Sequence, residues 1–190
     1  MRAMVLEFTG DPACDYLDRQ YLLGDSLLVA PIFSPDGAVD YYVPPGRWTR
    51  FLTGEVVEGG RWLHEVHKYL SLPLLVRPNA IIPIGSVEDR PDYDFDDGVT
   101  LHVFELDDGI TRSVLVPALR GDAAVWFEVS REGQQVRVES REATRPWEVL
   151  LRNIAAVHAV DGGSIRPDPL GTRIIPADGL SRVTVRLQAV

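Results

Sequence analysis

Several groups of residues in this chain have types and spacings that could do chemistry. Asp92-Tyr-Asp-Phe-Asp-Asp-Gly98 sets carboxylates at alternate positions, which is how a calcium loop begins. An EF-hand loop also needs glycine at its sixth position and a bidentate glutamate at its twelfth. Counted from Asp92, those positions hold Asp97 and Val103. The run is therefore expected to be a strand edge entering an Asp97-Gly98 hairpin turn, whose residues tolerate positive φ. A loosely held cation is the competing reading.

His64-Glu-Val-His67 superficially resembles a zinc signature. The metalloprotease motif, however, needs two residues between its glutamate and second histidine, on a helix. Here the two histidines are three apart, in a glycine-rich segment followed by Pro73. They are expected to be structural or surface residues. No serine sits in a nucleophile elbow, and no glycine-rich loop is built to cradle phosphate. A retaining glycosidase needs two carboxyl groups roughly 5–5.5 Å apart. Among the 28 acidic residues, Asp15, Asp18 and Asp25 cluster. Helix capping, surface charge and a turn account for these three, so no catalytic pair is assigned. Trp48, Trp62, Trp126 and Trp147 could form sugar-stacking platforms, although aromatic rings in β domains more often fill the core.

Composition narrows the function classes. The 190 residues can hold one large domain or two small ones, but no complete (β/α)8 barrel of about 250 residues. A net charge of −9 argues against a nucleic-acid partner, which would need a clustered basic face. No apolar run approaches the roughly 20 residues of a membrane helix, and no signal segment opens the chain. The single cysteine, Cys14, excludes an internal disulfide. It is expected to be a buried structural thiol, and a reducing, cytoplasmic setting is the expectation that goes with it.

The elements that must position these residues fall into two kinds. Met1–Phe8 has the length of an apolar strand. Asp11 and Pro12 suit the start of a helix that would carry Leu17 and Tyr21 on one face and stop at Gly24. Leu27–Ala30 reads as a buried strand, so residues 1–33 carry a βαβ pattern implying parallel strands. After Ser34-Pro-Asp-Gly37 the pattern becomes short β segments at 39–43, 48–52, 56–57, 72–76 and 80–84, separated by Pro and Gly turns. Further strands are expected at 99–106, 113–116, 124–130, 135–139, 147–151, 156–160, 172–175 and 182–187. Such spacing suits antiparallel sandwiches. The fold class expected is mainly β: two antiparallel β-sandwich domains, residues 34–86 and 87–190, preceded by the small βαβ piece at 1–33.

Several segments, in this order and spacing, resemble the end of glycoside hydrolase family 31, most nearly the bacterial α-xylosidase branch. They are Met1–Phe8, Asp11-Pro12, Asp18-Arg-Gln-Tyr-Leu-Leu-Gly24, Leu28-Val-Ala-Pro31, Tyr42-Val-Pro-Pro-Gly-Arg-Trp48, Gly60-Arg-Trp62 and Leu70–Pro78. Arg90-Pro-Asp-Tyr93 extends the likeness into the distal domain. The match is dense through about residue 110 and weak beyond it.

The resemblance implies that residues 1–33 are the end of the catalytic barrel, followed by proximal and distal sandwiches. It also implies an α-glucosidase or α-xylosidase parent that hydrolyses with retention, using an aspartate nucleophile and an aspartate acid/base on earlier barrel strands. No position here matches those motifs, so no catalytic, substrate-binding, cofactor or metal residue is carried over. No cofactor is implied. Carbohydrate would be met only through the missing barrel, and a homo-oligomer is left open. The isolated chain is expected to be structural and inactive, and the alternative is an independent carbohydrate-binding β-sandwich module. With two barrel strands left open-edged, Leu6, Phe8, Leu27, Leu28 and Val29 should be mobile, covered by a partner copy or placed against the sandwich.

Overall fold

The structure, a computed structural model, describes residues 1–119 and 124–188. It is mainly β and is built from several largely antiparallel sheets. Two compact units divide at Pro78 and Asn79.

The first unit contains β1 (Arg2–Ala3), a single helical turn α1 (Met4–Glu7), β2 (Tyr21–Leu23), β3 (Leu27–Val29), β4 (Ala38–Val43), β5 (Arg47–Arg50), β6 (Val56–Glu58), β7 (Arg61–Val66) and β8 (Leu74–Val76). One sheet runs in the order β1-β2-β3-β8-β5-β6, and β4 and β7 form a separate two-stranded sheet. Alternation along β4 turns Val39, Tyr41 and Val43 inward. These residues join Leu22, Leu28, Trp48, Val57 and Leu75 of the larger sheet in one core.

The expected βαβ piece is not what forms over residues 1–33. β1 pairs with β2, β2 with β3, and β3 with β8, all antiparallel. Asp11 does cap as anticipated, its Oδ1 accepting from the Ala13 N–H at 3.1 Å, but the helix stops after one 3-10 turn, Pro12–Cys14. Asp15 and Asp18 explain the failure: aspartate is a poor helix former and is unfavourable toward a helix C-terminus. Gly24 has φ +69°, as a helix stop would require, yet it serves the tight β2–β3 turn. Within Met1–Phe8, the residues Met4–Glu7 coil instead of extending, burying Met4 and leaving Leu6 exposed. Leu28 and Val29 are buried in the sheet and Phe8 packs against the core, so the strand pair is placed against the sandwich.

The outer edge of β4 would leave backbone groups of Tyr42 unpaired. Gln20 fills that edge: its Nε2 donates to the Tyr42 carbonyl and its Oε1 accepts from the Tyr42 N–H, both at 2.8 Å. The Tyr42 hydroxyl then donates to Asp11 Oδ2 at 2.8 Å. A buried amide that satisfies both a donor and an acceptor holds the irregular segment 11–20 against the hairpin.

The second unit contains β9 (Ala80–Ile84), β10 (Val99–Phe104), β11 (Thr111–Pro117), β12 (Ala124–Glu132), β13 (Gln135–Arg141), β14 (Trp147–Arg152), β15 (Val157–Asp161), β16 (Gly163–Asp168), β17 (Gly171–Pro176) and β18 (Arg182–Leu187). Two five-stranded sheets, β16-β17-β14-β10-β9 and β11-β12-β13-β18-β15, contribute to one core. Val99, Leu101 and Val103 meet Phe127, Val129, Val138 and Val185 there, as alternation demands. β10 and β14 run parallel. β9 pairs with β10, so residues 80–84 belong to this unit, earlier than the break expected at residue 86.

Candidate functional site

The structure answers each chemical candidate in turn. A turn at 95–98 precedes β10, with Gly98 at φ +70°. It ends the long connection from β9 and is not a two-residue hairpin. Arg145 stands among the carboxylates, 2.7 Å from Asp94 and 3.8 Å from both Asp96 and Asp97. A guanidinium thus supplies the neutralising charge that a cation would. Among the described residues, no cluster of three or more His, Cys, Asp or Glu is placed to hold a metal ion.

Asp15, Asp18 and Asp25 are all exposed, and Asp25 accepts a hydrogen bond from its neighbour Ser26. The Cys14 thiol is buried, and burial first, with Asp11 and Asp15 nearby, pushes it up to about 11. Such a thiol is inert as a nucleophile. Trp48 and Trp147 are core residues, whereas Trp62 and Trp126 face solvent.

His64 and His67 part company. His64 pairs with Asp40 across the hairpin, whereas His67 enters a polar network that the sequence does not display. At its centre, Arg50 from β5 engages Glu65 from β7 with both terminal nitrogens, a bidentate pair. Glu65 Oε2 lies 2.9 Å from His67 Nε2, and His67 Nδ1 lies 2.8 Å from Ser71 Oγ. The Tyr41 hydroxyl approaches Arg50 at 3.4 Å, and burial pushes its phenol up to about 12. Burial alone would raise the Glu65 carboxyl as well. Hydrogen bonds from Arg50 and His67 overcome it and hold the group below the ordinary carboxylate range.

Arg50, Glu65, His67 and Ser71 line a cleft of about 420 Å3 with Leu52, Thr53 and Leu72. The order Ser71–His67–Glu65 superficially matches a nucleophile, a base and an orienting carboxylate. The carboxylate is, however, already committed to Arg50 by two charge-assisted bonds. The arrangement cross-links β5, β7 and the segment after β7.

A second charged set lies in the second unit. Arg173 of β17 bonds Glu148 at 2.6 Å and Asp168 at 2.9 Å. The buried Arg152 guanidinium lies over the Phe104 ring at 4.7 Å, and its Nη1 is 3.1 Å from His102 Nδ1. Burial, followed by repulsion from Arg152 and Arg173, pushes the His102 imidazole down to about 4. A neutral imidazole can accept from the guanidinium, which a protonated one cannot.

Comparison with known proteins places these units. The family model described as "Glycosyl hydrolase family 31 C-terminal domain" matches residues 1–82, and "Alpha-xylosidase YicI, C-terminal domain" matches residues 94–187. The α-xylosidase XylQ of Lactiplantibacillus pentosus is 38% identical over 127 residues, which is 65% of this chain and 17% of that protein. An α-xylosidase of Emericella nidulans is 40% identical over 111 residues, covering 54% of this chain and 14% of its own length. The chain therefore spans about one-sixth of the curated relatives it matches. Among solved structures, the family 31 dextranase of Flavobacterium johnsoniae superposes on 98% of the chain with a TM-score of 0.78 at 17% identity, using 29% of its own length. The family 31 α-xylosidase of Xanthomonas citri superposes on 99% with a TM-score of 0.69 at 24% identity, using 21% of its length. These likenesses show a shared fold. With the two domain models together spanning both β units, the chain belongs to the C-terminal domain region of glycoside hydrolase family 31.

Proposed function

We propose that this chain serves as the C-terminal β region of a retaining α-glycosidase of α-xylosidase type, with a structural role in the parent enzyme. The observation that carries the proposal is the pair of family 31 C-terminal domain models matching residues 1–82 and 94–187. In the parent, an aspartate nucleophile and an aspartate acid/base on a catalytic barrel would attack and protonate the glycosidic linkage. The β units described here would brace that barrel, residues 1–33 lying at the junction. Support for a bracing role comes from apolar side chains of the first unit that stand in solvent: Leu6, Leu23, Tyr69 and Leu70.

Carbohydrate would reach this protein through the barrel, with neither nucleic acid nor membrane as a partner. No helix among the described residues is long and apolar enough to cross a membrane. A cytoplasmic location belongs to the same proposal and rests on a single, buried thiol. The bracing role is tested by removing the matching C-terminal segment from a barrel-bearing relative such as the L. pentosus α-xylosidase. Loss of soluble protein, or a Tm lowered by several degrees, is expected. A truncated enzyme with unchanged Tm and full turnover would show that these units brace nothing.

A further inference from the structure

An open sheet ends in two edge strands whose outward N–H and C=O groups invite another strand, so each edge needs something that blunts it. The four sheets have eight edges, and among the described residues seven of them are blunted. β1 and β6 are two and three residues long. The free side of β4 is filled by Gln20. β9, β11 and β16 carry Pro83, Pro117 and Pro167, and β15 has a register shift between Val157 and Ala159. β7 is the exception. Its six residues, Arg61-Trp-Leu-His-Glu-Val66, include no proline or lysine and pair with β4 in an unbroken register.

The phase of the ladder fixes which groups of β7 are left over. The His67 N–H donates to the Gly37 carbonyl at 2.9 Å, one step beyond the Ala38–Val66 pair. Hydrogen-bonded and non-hydrogen-bonded pairs alternate along an antiparallel ladder. Arg61, Leu63 and Glu65 therefore bond to β4, while Trp62, His64 and Val66 turn their N–H and C=O groups away from it. The other strand gives the same phase, because Tyr42, opposite Trp62, turns its own groups outward to Gln20. The side chains at these three positions are open too: Trp62 is 57% exposed, His64 65% and Val66 70%.

We propose that β7 is a pairing edge for a second copy of this chain, the two β7 strands running antiparallel about a two-fold axis at His64. In that register His64 lies opposite its own counterpart, and Trp62 lies opposite Val66 of the second copy. All three N–H and all three C=O groups of each edge then find partners, and two two-stranded sheets merge into one of four strands. Trp62 and Val66 form an aromatic–β-branched cross-strand pair, and the symmetry makes it twice. Sliding the strands by one pleat would set Val66 opposite Gly60 and lose that pair. No two carboxylates meet across the junction, and each His64 keeps its contact with Asp40. This match of the edge to itself is what selects a second copy over an unrelated strand. Main-chain hydrogen bonds supply the affinity in such strand addition, and the short contact makes the dimer concentration-dependent. The inference rests on the ladder of this chain and not on the hydrolase proposal.

Sedimentation equilibrium of the 190-residue chain should show a reversible dimer. Val66→Lys puts a charge on the exposed edge and should weaken the dimer at least about tenfold, with a native circular dichroism spectrum. Trp126→Ala, on another sheet, should leave it unchanged. His64→Cys reads the register. Residues opposed in a hydrogen-bonded antiparallel pair have Cα atoms about 5.5 Å apart, within disulfide reach. Oxidation should therefore link two His64→Cys chains, whereas Trp126→Cys should give no such link, and the buried Cys14 does not compete. A chain that stays monomeric up to about 0.5 mM overturns the proposal and leaves the edge to a strand of another protein. A dimer that survives Val66→Lys in folded protein, or one that His64→Cys fails to cross-link, overturns it as well.

Discussion

Trp126 and Phe127 are neighbours in sequence with opposite fates. Phe127 is 1% exposed and packs against Trp147, ring centroids 5.3 Å apart, while Trp126 is 48% exposed on the outer face of β12. Phe127→Ala should cost about 3–5 kcal/mol through lost burial and an unfilled cavity. Trp126→Ala should change stability by no more than about 0.5 kcal/mol. Urea midpoints of the two variants measure the contrast, and equal midpoints would contradict the assigned alternation.

Glu65 offers a test with a defined pH window. Arg50 and His67 hold its folded carboxyl below 4.5, the ordinary value in the unfolded chain. The stabilisation is therefore complete above that value and is lost as pH falls through the folded one. Glu65→Gln should lower stability at neutral pH by about 1–3 kcal/mol, because the half-buried Arg50 loses its charged acceptor. It should also flatten the decline in stability below pH 4.5. An acid limb identical to that of the unaltered chain would mean that the pair contributes nothing.

At the scale of elements, the irregular first segment has the weakest local structure. Residues 4–8 form one helical turn with little side-chain capping, whereas β12 and β13 are paired along their length. Hydrogen exchange should be fast at residues 4–8 and slow at 125–129, and comparable protection would contradict the assigned structure.

The legibility of the elements follows the same physics. Ala80–Ile84 and Arg182–Leu187 form strands with the very bounds their sequences suggest, because their apolar residues face a core on one side. β7, Arg61–Val66, hides because its exposed residues, Trp62 and Val66, are as apolar as its inward Leu63. β16 hides because it carries Pro167, tolerated at a sheet edge, and no buried stripe. Gly24 misleads because a helix stop and a hairpin turn demand the same positive φ. The Arg50–Glu65–His67–Ser71 network was legible only in part. Glu65, His67 and Ser71 are close in the chain, but Arg50 reaches them from another sheet, a pairing no local pattern announces.

At the scale of the whole molecule, the decisive features are those of family and extent. Two C-terminal domain models cover both units, and the chain spans only 17% of one α-xylosidase relative and 14% of another. The polar groups that do gather here are committed: Glu65 to Arg50, Asp94 to Arg145, and Asp168 and Glu148 to Arg173. The most direct measurement is hydrolysis of an aryl α-xyloside and an aryl α-glucoside by the purified 190-residue chain. The prediction is no release of phenol above the spontaneous rate. Saturable release, abolished by replacing one aspartate of this chain with asparagine, would contradict the claim that the reacting carboxylates lie outside it.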